Sequence, residues 1–161
     1  MNDLSSKTAV VTGGGQGIGL GISRALLEAG AQVLIAQRSD IPDELAANDN
    51  AHWVKADLAD PDSFVAIAEA AKERFGKVDI LVNNAGIMFE RSLDAMQLDE
   101  WNRMLSINLT APVFLSQALL PLMSAGTSII NIGSIEGLAA SEHFGGLMKI
   151  VKATLAPLAS V

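Results

Sequence analysis

The chain has 161 residues, half of them hydrophobic, with 18 acidic against 11 basic side chains and a formal net charge of −7. A chain of this length buries about 70% of the surface its unfolded form exposes, so it supports one core unaided and disorder is excluded. The absence of Cys and the presence of only two His exclude thiolate zinc sites, iron–sulfur clusters, a catalytic cysteine and a disulfide-built scaffold, and the acidic balance opposes phosphate backbones and anionic lipid.

The short polar N-terminus, Met1 to Lys7, lacks the basic-then-apolar order of a signal peptide and predicts a cytoplasmic address. Apolar, β-branched runs recur at Thr8–Val11, Gln32–Ala36, His52–Lys55, Val78–Val82 and Thr127–Ile132. Helical patterns separate most of them, and this alternation predicts an α/β fold with a doubly wound parallel sheet in one domain spanning 1–161. The first helix carries Ile18, Ile22, Ala25, Leu26 and Ala29 at helical spacing and stops at Gly30. The segment Arg38–Asn50 reads as loop with at most a short helix. A second helix starts with Asp60 as N-cap and Pro61 at its first position, turns Phe64, Ile67, Ala68 and Ala71 inward and ends at Gly76. A long helix over Asp99–Met123 carries Trp101, Met104, Leu105, Leu109, Phe114 and Leu115, with Pro112 inside it. Its most apolar stretch, Ala111–Met123, falls short of the roughly 20 residues a membrane helix needs, so no membrane span is expected.

Directly after the first strand stand Thr12-Gly13-Gly14-Gly15-Gln16-Gly17-Ile18-Gly19, opening the first helix. Glycines let the backbone turn sharply and approach a ligand, while the helix N-terminus offers N–H groups and a positive dipole end to a pyrophosphate. A second strand follows within about 30 residues, the βαβ context of dinucleotide binding.

The spacing of Gly13, Gly17 and Gly19, Asp57 after the third strand, Asn83-Asn84-Ala85-Gly86 after the fourth, Asn108 in the long helix and Gly133-Ser134 after the fifth together resemble the short-chain dehydrogenase/reductase family, classical type. The resemblance runs from about Lys7 to Leu155 and implies a Rossmann-type fold, shortened at the C-terminus. It also implies that Thr12, Gly13, Gln16, Gly17, Ile18 and Gly19 hold a pyrophosphate, that Asp57 contacts adenine with Leu58 also at the cofactor, and that Asn83, Asn84, Ala85 and Gly86 lie along the adenosine ribose. Gln37 and Arg38 stand at the end of the second strand, where an acidic residue would bind the ribose hydroxyls. A neutral amide beside a guanidinium favours NADP(H), with NAD(H) as the second choice.

The family's catalytic Ser, Tyr, Lys and Asn map onto Ser134, Met148, Lys152 and Asn108 in this sequence, with Lys152 also reaching the nicotinamide ribose. There is no Tyr anywhere in the chain. A thioether cannot serve as general acid or base, and that role typically supplies a factor of about 10²–10⁴. His143, beside Glu142, is the one alternative acid, and a solvated loop His is the simpler reading. Pro112, four residues after Asn108, has no N–H for the Asn108 carbonyl, which the family uses to hold an ordered water.

Three readings follow. The chain is an NAD(P)(H)-dependent oxidoreductase acting on a small hydroxyl or carbonyl compound; or a catalytically inactive dinucleotide-binding module or partner subunit of a full-length relative; or a truncated product with little function. Homo-oligomerisation or association with a relative is expected, with no nucleic acid, membrane or metal as partner. Ile87, Met88, Ile135, Glu136 and His143 are the candidate substrate-pocket walls.

Overall fold

The computed structural model describes residues 3–89 and 91–133. Ser134, Met148 and Lys152, together with Ile135, Glu136 and His143, lie outside the described residues.

Five parallel strands form one sheet in the order β3-β2-β1-β4-β5. They are β1 (Thr8–Thr12), β2 (Gln32–Gln37), β3 (Ala51–Lys55), β4 (Ile80–Asn83) and β5 (Ser128–Asn131). Among the described residues five α-helices accompany them: α1 (Gly17–Glu28), α2 (Asp43–Ala46), α3 (Asp62–Phe75), α4 (Leu98–Leu105) and α5 (Ala111–Leu119). The expected doubly wound Rossmann-type sheet is therefore observed. The registers Val10↔Leu34 and Val10↔Leu81 line one face with apolar residues, while Val11↔Ile35 and Val11↔Val82 line the other. Val10, Leu34 and Leu81 pack with Phe64 and Ile67 of α3 and Leu115 and Leu119 of α5. Val11, Ile35 and Val82 pack with Leu20, Ile22 and Leu26 of α1 and Leu45 of α2. Successive strands first run outward from β1 to β3 and then resume beside β1 at β4. That reversal opens a crevice at the carboxyl ends of β1 and β4, where ligands of open α/β sheets sit.

Local signals in the sequence account for both ends of α3. Asp60 Oδ1 accepts the Asp62 N–H at 3.1 Å, with Pro61 already helical, and α3 stops at Gly76 in the left-handed region. The Arg38–Asn50 segment holds one short helix, α2, as expected.

The structure departs from the sequence reading in α1 and in the long helix. Ile18 and Ala25 of α1 do not enter the core: Ile18 is 69% exposed, and the buried residues of α1 are Gly19 and Ser23. The tight approach of α1 to the glycine turn excludes large side chains from this face, which leaves Ile18 toward the crevice. The long helix runs Leu98–Leu122 but is not regular, because Ser106–Thr110 forms a π turn between α4 and α5. Pro112 cannot donate to the fourth residue back, and the Ala111 N–H instead reaches the Ser106 carbonyl, so the helix takes up an extra residue at this point. By length and composition this run is long and apolar enough to cross a membrane, contrary to the shorter apolar stretch read from sequence. In this fold its apolar residues Met104, Ile107, Ala111, Leu115 and Leu119 are buried, whereas Phe114 is half exposed.

Candidate functional site

The chain leaves β1 at Thr12, turns at Gly13 and enters α1 at Gly17. Gly13 has φ +63, a conformation that L side chains rarely adopt. A Cβ on Gly19 would stand 2.1 Å from the Gly13 carbonyl oxygen and 2.5 Å from Asn84 Nδ2, so only glycine lets α1 approach the turn this closely. Gln16 precedes α1 without a side-chain cap, and the first turn contains no acidic residue. Among the described residues no acceptor engages the N–H groups of Gly17, Ile18 and Gly19. Unpaired donors at the positive end of a helix form an anion-binding site.

The turn is braced from two sides. Thr12 is buried below it; its hydroxyl accepts the N–H groups of Asn84 and Ala85, each at 3.0 Å, and Asn84 Nδ2 donates to the Thr12 and Gly13 carbonyls at 2.9 and 3.2 Å. On the other side Gln37, also buried, accepts the Gly15 N–H through Oε1 at 2.7 Å and donates through Nε2 to the carbonyls of Ser39 and Asp40, both at 3.0 Å. Both ends of the Gln37 amide are thus engaged within the protein. Arg38 and Ser39 beside it are exposed.

These elements enclose a cleft of about 840 Å³ over the carboxyl ends of the strands. Its floor and rim are the glycine turn, Gln16, Ile18, Gln37, Arg38, Ser39, Asp57, Leu58 and Asn84 to Gly86. The candidate residues Gly13, Gln16, Gly17, Ile18, Gly19, Gln37, Arg38, Asp57, Leu58, Asn84, Ala85 and Gly86 therefore converge on one cavity. The volume is in the range of small-molecule and cofactor sites.

Sequence reasoning did not find Arg103, which reaches from α4 to Asp57 with Nη2 at 3.1 Å from Oδ2. Burial alone would raise the Asp57 pKa, but the Ala59 N–H, the Arg103 hydrogen bond and charge, and the charge of Arg38 outweigh it and hold the carboxyl below its ordinary value. Asp57 is ionised at neutral pH and flanked by two guanidiniums. No spacing rule links residues on β3's exit and α4, so no signal in the sequence announced this pair.

Asn108 is buried in the π turn and clasps the segment after β4: Oδ1 accepts the Ile87 N–H at 2.9 Å and Nδ2 donates to the Ile87 carbonyl at 2.7 Å. This positions Ile87 at the cleft wall, whereas Met88 is largely exposed. Asn83, also buried, donates from Nδ2 to Asn131 Oδ1 at 2.9 Å and so ties β4 to β5. Among the described residues no group of three His, Asp or Glu converges to hold a metal.

The sequence profile of the short chain dehydrogenases matches residues 7–146. An uncharacterized oxidoreductase of Staphylococcus aureus strain USA300 is 35% identical over 148 residues, covering 88% of this chain and 64% of that protein. The chain thus spans just under two thirds of the length of that relative. Among solved structures, a short chain dehydrogenase of Burkholderia cenocepacia J2315 in complex with NADP superposes with a TM-score of 0.92 at 34% identity, covering 98% of this chain and 67% of that one. The RhlG/NADP active-site complex of Pseudomonas aeruginosa gives a TM-score of 0.88 at 35% identity, with 97% and 65% covered. With its glycine turn, its strand order and these similarities, the chain belongs to the short chain dehydrogenase family.

Proposed function

We propose that this chain is the dinucleotide-binding part of a nicotinamide-dependent oxidoreductase and that it takes NADP(H) in preference to NAD(H). The observation that carries the reading is the uncapped head of α1, whose N–H groups face a cleft bordered by Arg38 and Ser39. The cradle fits a pyrophosphate, since among the described residues no acceptor engages the N–H groups of Gly17, Ile18 and Gly19 that open onto it. Arg38 supplies a planar guanidinium for a 2′-phosphate, with Ser39 adjacent, and no carboxylate stands at the end of β2 to repel it. Asp57, held ionised, accepts from the amino group of an adenine, and Asn84 to Gly86 form the wall beside the ribose. The NADP complexes of the two solved relatives support this choice.

When bound, a nicotinamide exchanges a hydride with a substrate carbon, which leaves a proton to be moved at the substrate oxygen. In this reading Ser134 orients that oxygen by hydrogen bonding, Lys152 holds the ribose hydroxyls, and Asn108 belongs to the path from Lys152 to solvent. Met148 provides no proton. That single residue favours a second reading, in which the chain binds the dinucleotide and substrate but turns over slowly or not at all. The reading also includes a small hydroxyl or carbonyl substrate, self-association or pairing with a relative, no nucleic-acid or membrane partner, and a cytoplasmic location.

Titration with NADPH and with NADH, following energy transfer from Trp53 and Trp101 to the nicotinamide, tests the proposal. Saturable binding is expected, tighter for NADPH. Arg38→Ala is expected to weaken NADPH by roughly 10- to 100-fold, the loss of a charge-assisted contact, and to leave NADH nearly unchanged. No binding of either nucleotide at millimolar concentration would overturn it.

A further inference from the structure

The glycine turn and the loop after β2 come from segments 22 residues apart, and one buried side chain joins them. We propose that Gln37 is a positioning residue that locks the glycine turn to the Ser39–Asp40 loop and presents both to the dinucleotide as one rigid rim; the proposal rests on the cofactor reading above. Gln37 stands where a ribose-binding side chain would be sought, yet its geometry is that of a brace. Oε1 takes the Gly15 N–H at 2.7 Å, and Nε2 gives to the Ser39 and Asp40 carbonyls at 3.0 Å each, with the Ser39 hydroxyl oxygen 3.4 Å away.

The fit on the turn is close. A Cβ on Gly15 would lie 2.5 Å from both Oε1 and Nε2, so the amide fills the space a side chain at Gly15 would need. Because the amide is buried, removing it leaves the Gly15 N–H and two carbonyls without their partners, and the rim loosens on both sides. A dinucleotide then has to order the turn as it binds, and this raises its dissociation constant whatever group its ribose carries. A direct contact from Gln37 to a 2′-phosphate would instead weaken NADPH alone.

The test compares the chain with Gln37→Met, which keeps length and burial but loses every hydrogen bond, and Gln37→Glu, which keeps an acceptor for Gly15 but cannot donate to Ser39 and Asp40. Amide hydrogen exchange in the ligand-free proteins is read at Gly15, with Val10 and Val11 as core references. Gln37→Met is expected to speed Gly15 exchange by roughly tenfold with Val10 and Val11 unchanged, and Gln37→Glu to keep Gly15 slow. In titrations Gln37→Met is expected to weaken NADPH and NADH by the same factor, about tenfold, at a constant ratio. Unchanged Gly15 exchange in Gln37→Met, or loss of NADPH affinity alone, would overturn the proposal. If Gln37→Met does not fold, fast Gly15 exchange in Gln37→Glu overturns it and slow exchange supports it. If the parent chain binds neither nucleotide, the cofactor reading falls, while Gly15 exchange still decides whether Gln37 braces the turn.

Discussion

Thr12 and Asn84 hold each other twice: the Thr12 hydroxyl accepts the Asn84 N–H at 3.0 Å, and Asn84 Nδ2 donates to the Thr12 carbonyl at 2.9 Å. This pair joins the exits of β1 and β4 at the point where the strand order reverses, so the two sides of the crevice are set relative to each other by one hydroxyl and one amide. Thr12→Val keeps the shape but leaves the N–H groups of Asn84 and Ala85 without an acceptor. Two lost bonds of this kind cost about 2 kcal/mol, which for a chain of this size lowers the melting temperature by roughly 4–8 °C. Thermal unfolding followed by circular dichroism checks this, and a dinucleotide titration of the same variant should show weaker binding.

Two glycines of α1 give opposite expectations. Gly19→Ala places a methyl group 2.1 Å from the Gly13 carbonyl oxygen and must displace either the turn or the helix; it should abolish dinucleotide binding and lower stability. Gly21 lies in the same helix, exposed and with open space where a Cβ would be. Gly21→Ala should therefore stabilise by about 1 kcal/mol, raising the melting temperature by roughly 2–4 °C without changing affinity.

Asp79 anchors the opposite end of the sheet from the cleft. Burial would raise its pKa, but hydrogen bonds from the Lys77 ammonium, the Thr8 N–H, the Lys7 ammonium and the Thr8 hydroxyl bring it from 3.8 down to about 2. A depressed folded-state pKa means that the stabilisation is complete above about pH 4 and is lost as the pH falls toward 2. Melting temperatures measured from pH 5 to pH 2 should fall less steeply for Asp79→Asn than for the parent, from a lower starting value. Parallel curves would show that Asp79 contributes nothing to acid sensitivity.

Met148→Tyr supplies the phenol that the family uses for proton transfer. If the dinucleotide binds as proposed, carbonyl reduction by this variant should exceed that of the parent by at least roughly 10²-fold, with NADPH affinity unchanged. NADPH oxidation with a panel of carbonyl compounds measures it. An increase in affinity without an increase in turnover would place the deficit elsewhere than at the missing acid.

The sequence by itself determined whatever depends on neighbours along the chain. The alternation of apolar runs specified parallel βα units, Asp60 and Gly76 marked the ends of α3, and the spacing of Gly13, Gly17 and Gly19 marked a turn into a helix, because these signals act over one or two turns of backbone. It marked the segments that follow the strands without showing what each side chain touches. Ile18 had the spacing of a core residue and lies at the cleft, and Pro112 announced an irregular helix but not the π turn that absorbs it. The tertiary structure alone decided the pairs Gln37–Gly15, Asp57–Arg103 and Thr12–Asn84, separated by 22, 46 and 72 residues. Such contacts exist only once the sheet has ordered its strands as β3-β2-β1-β4-β5 and brought their carboxyl ends together. A hydrogen bond between distant segments has no periodicity to betray it, since its partners are selected by the packing of the elements between them.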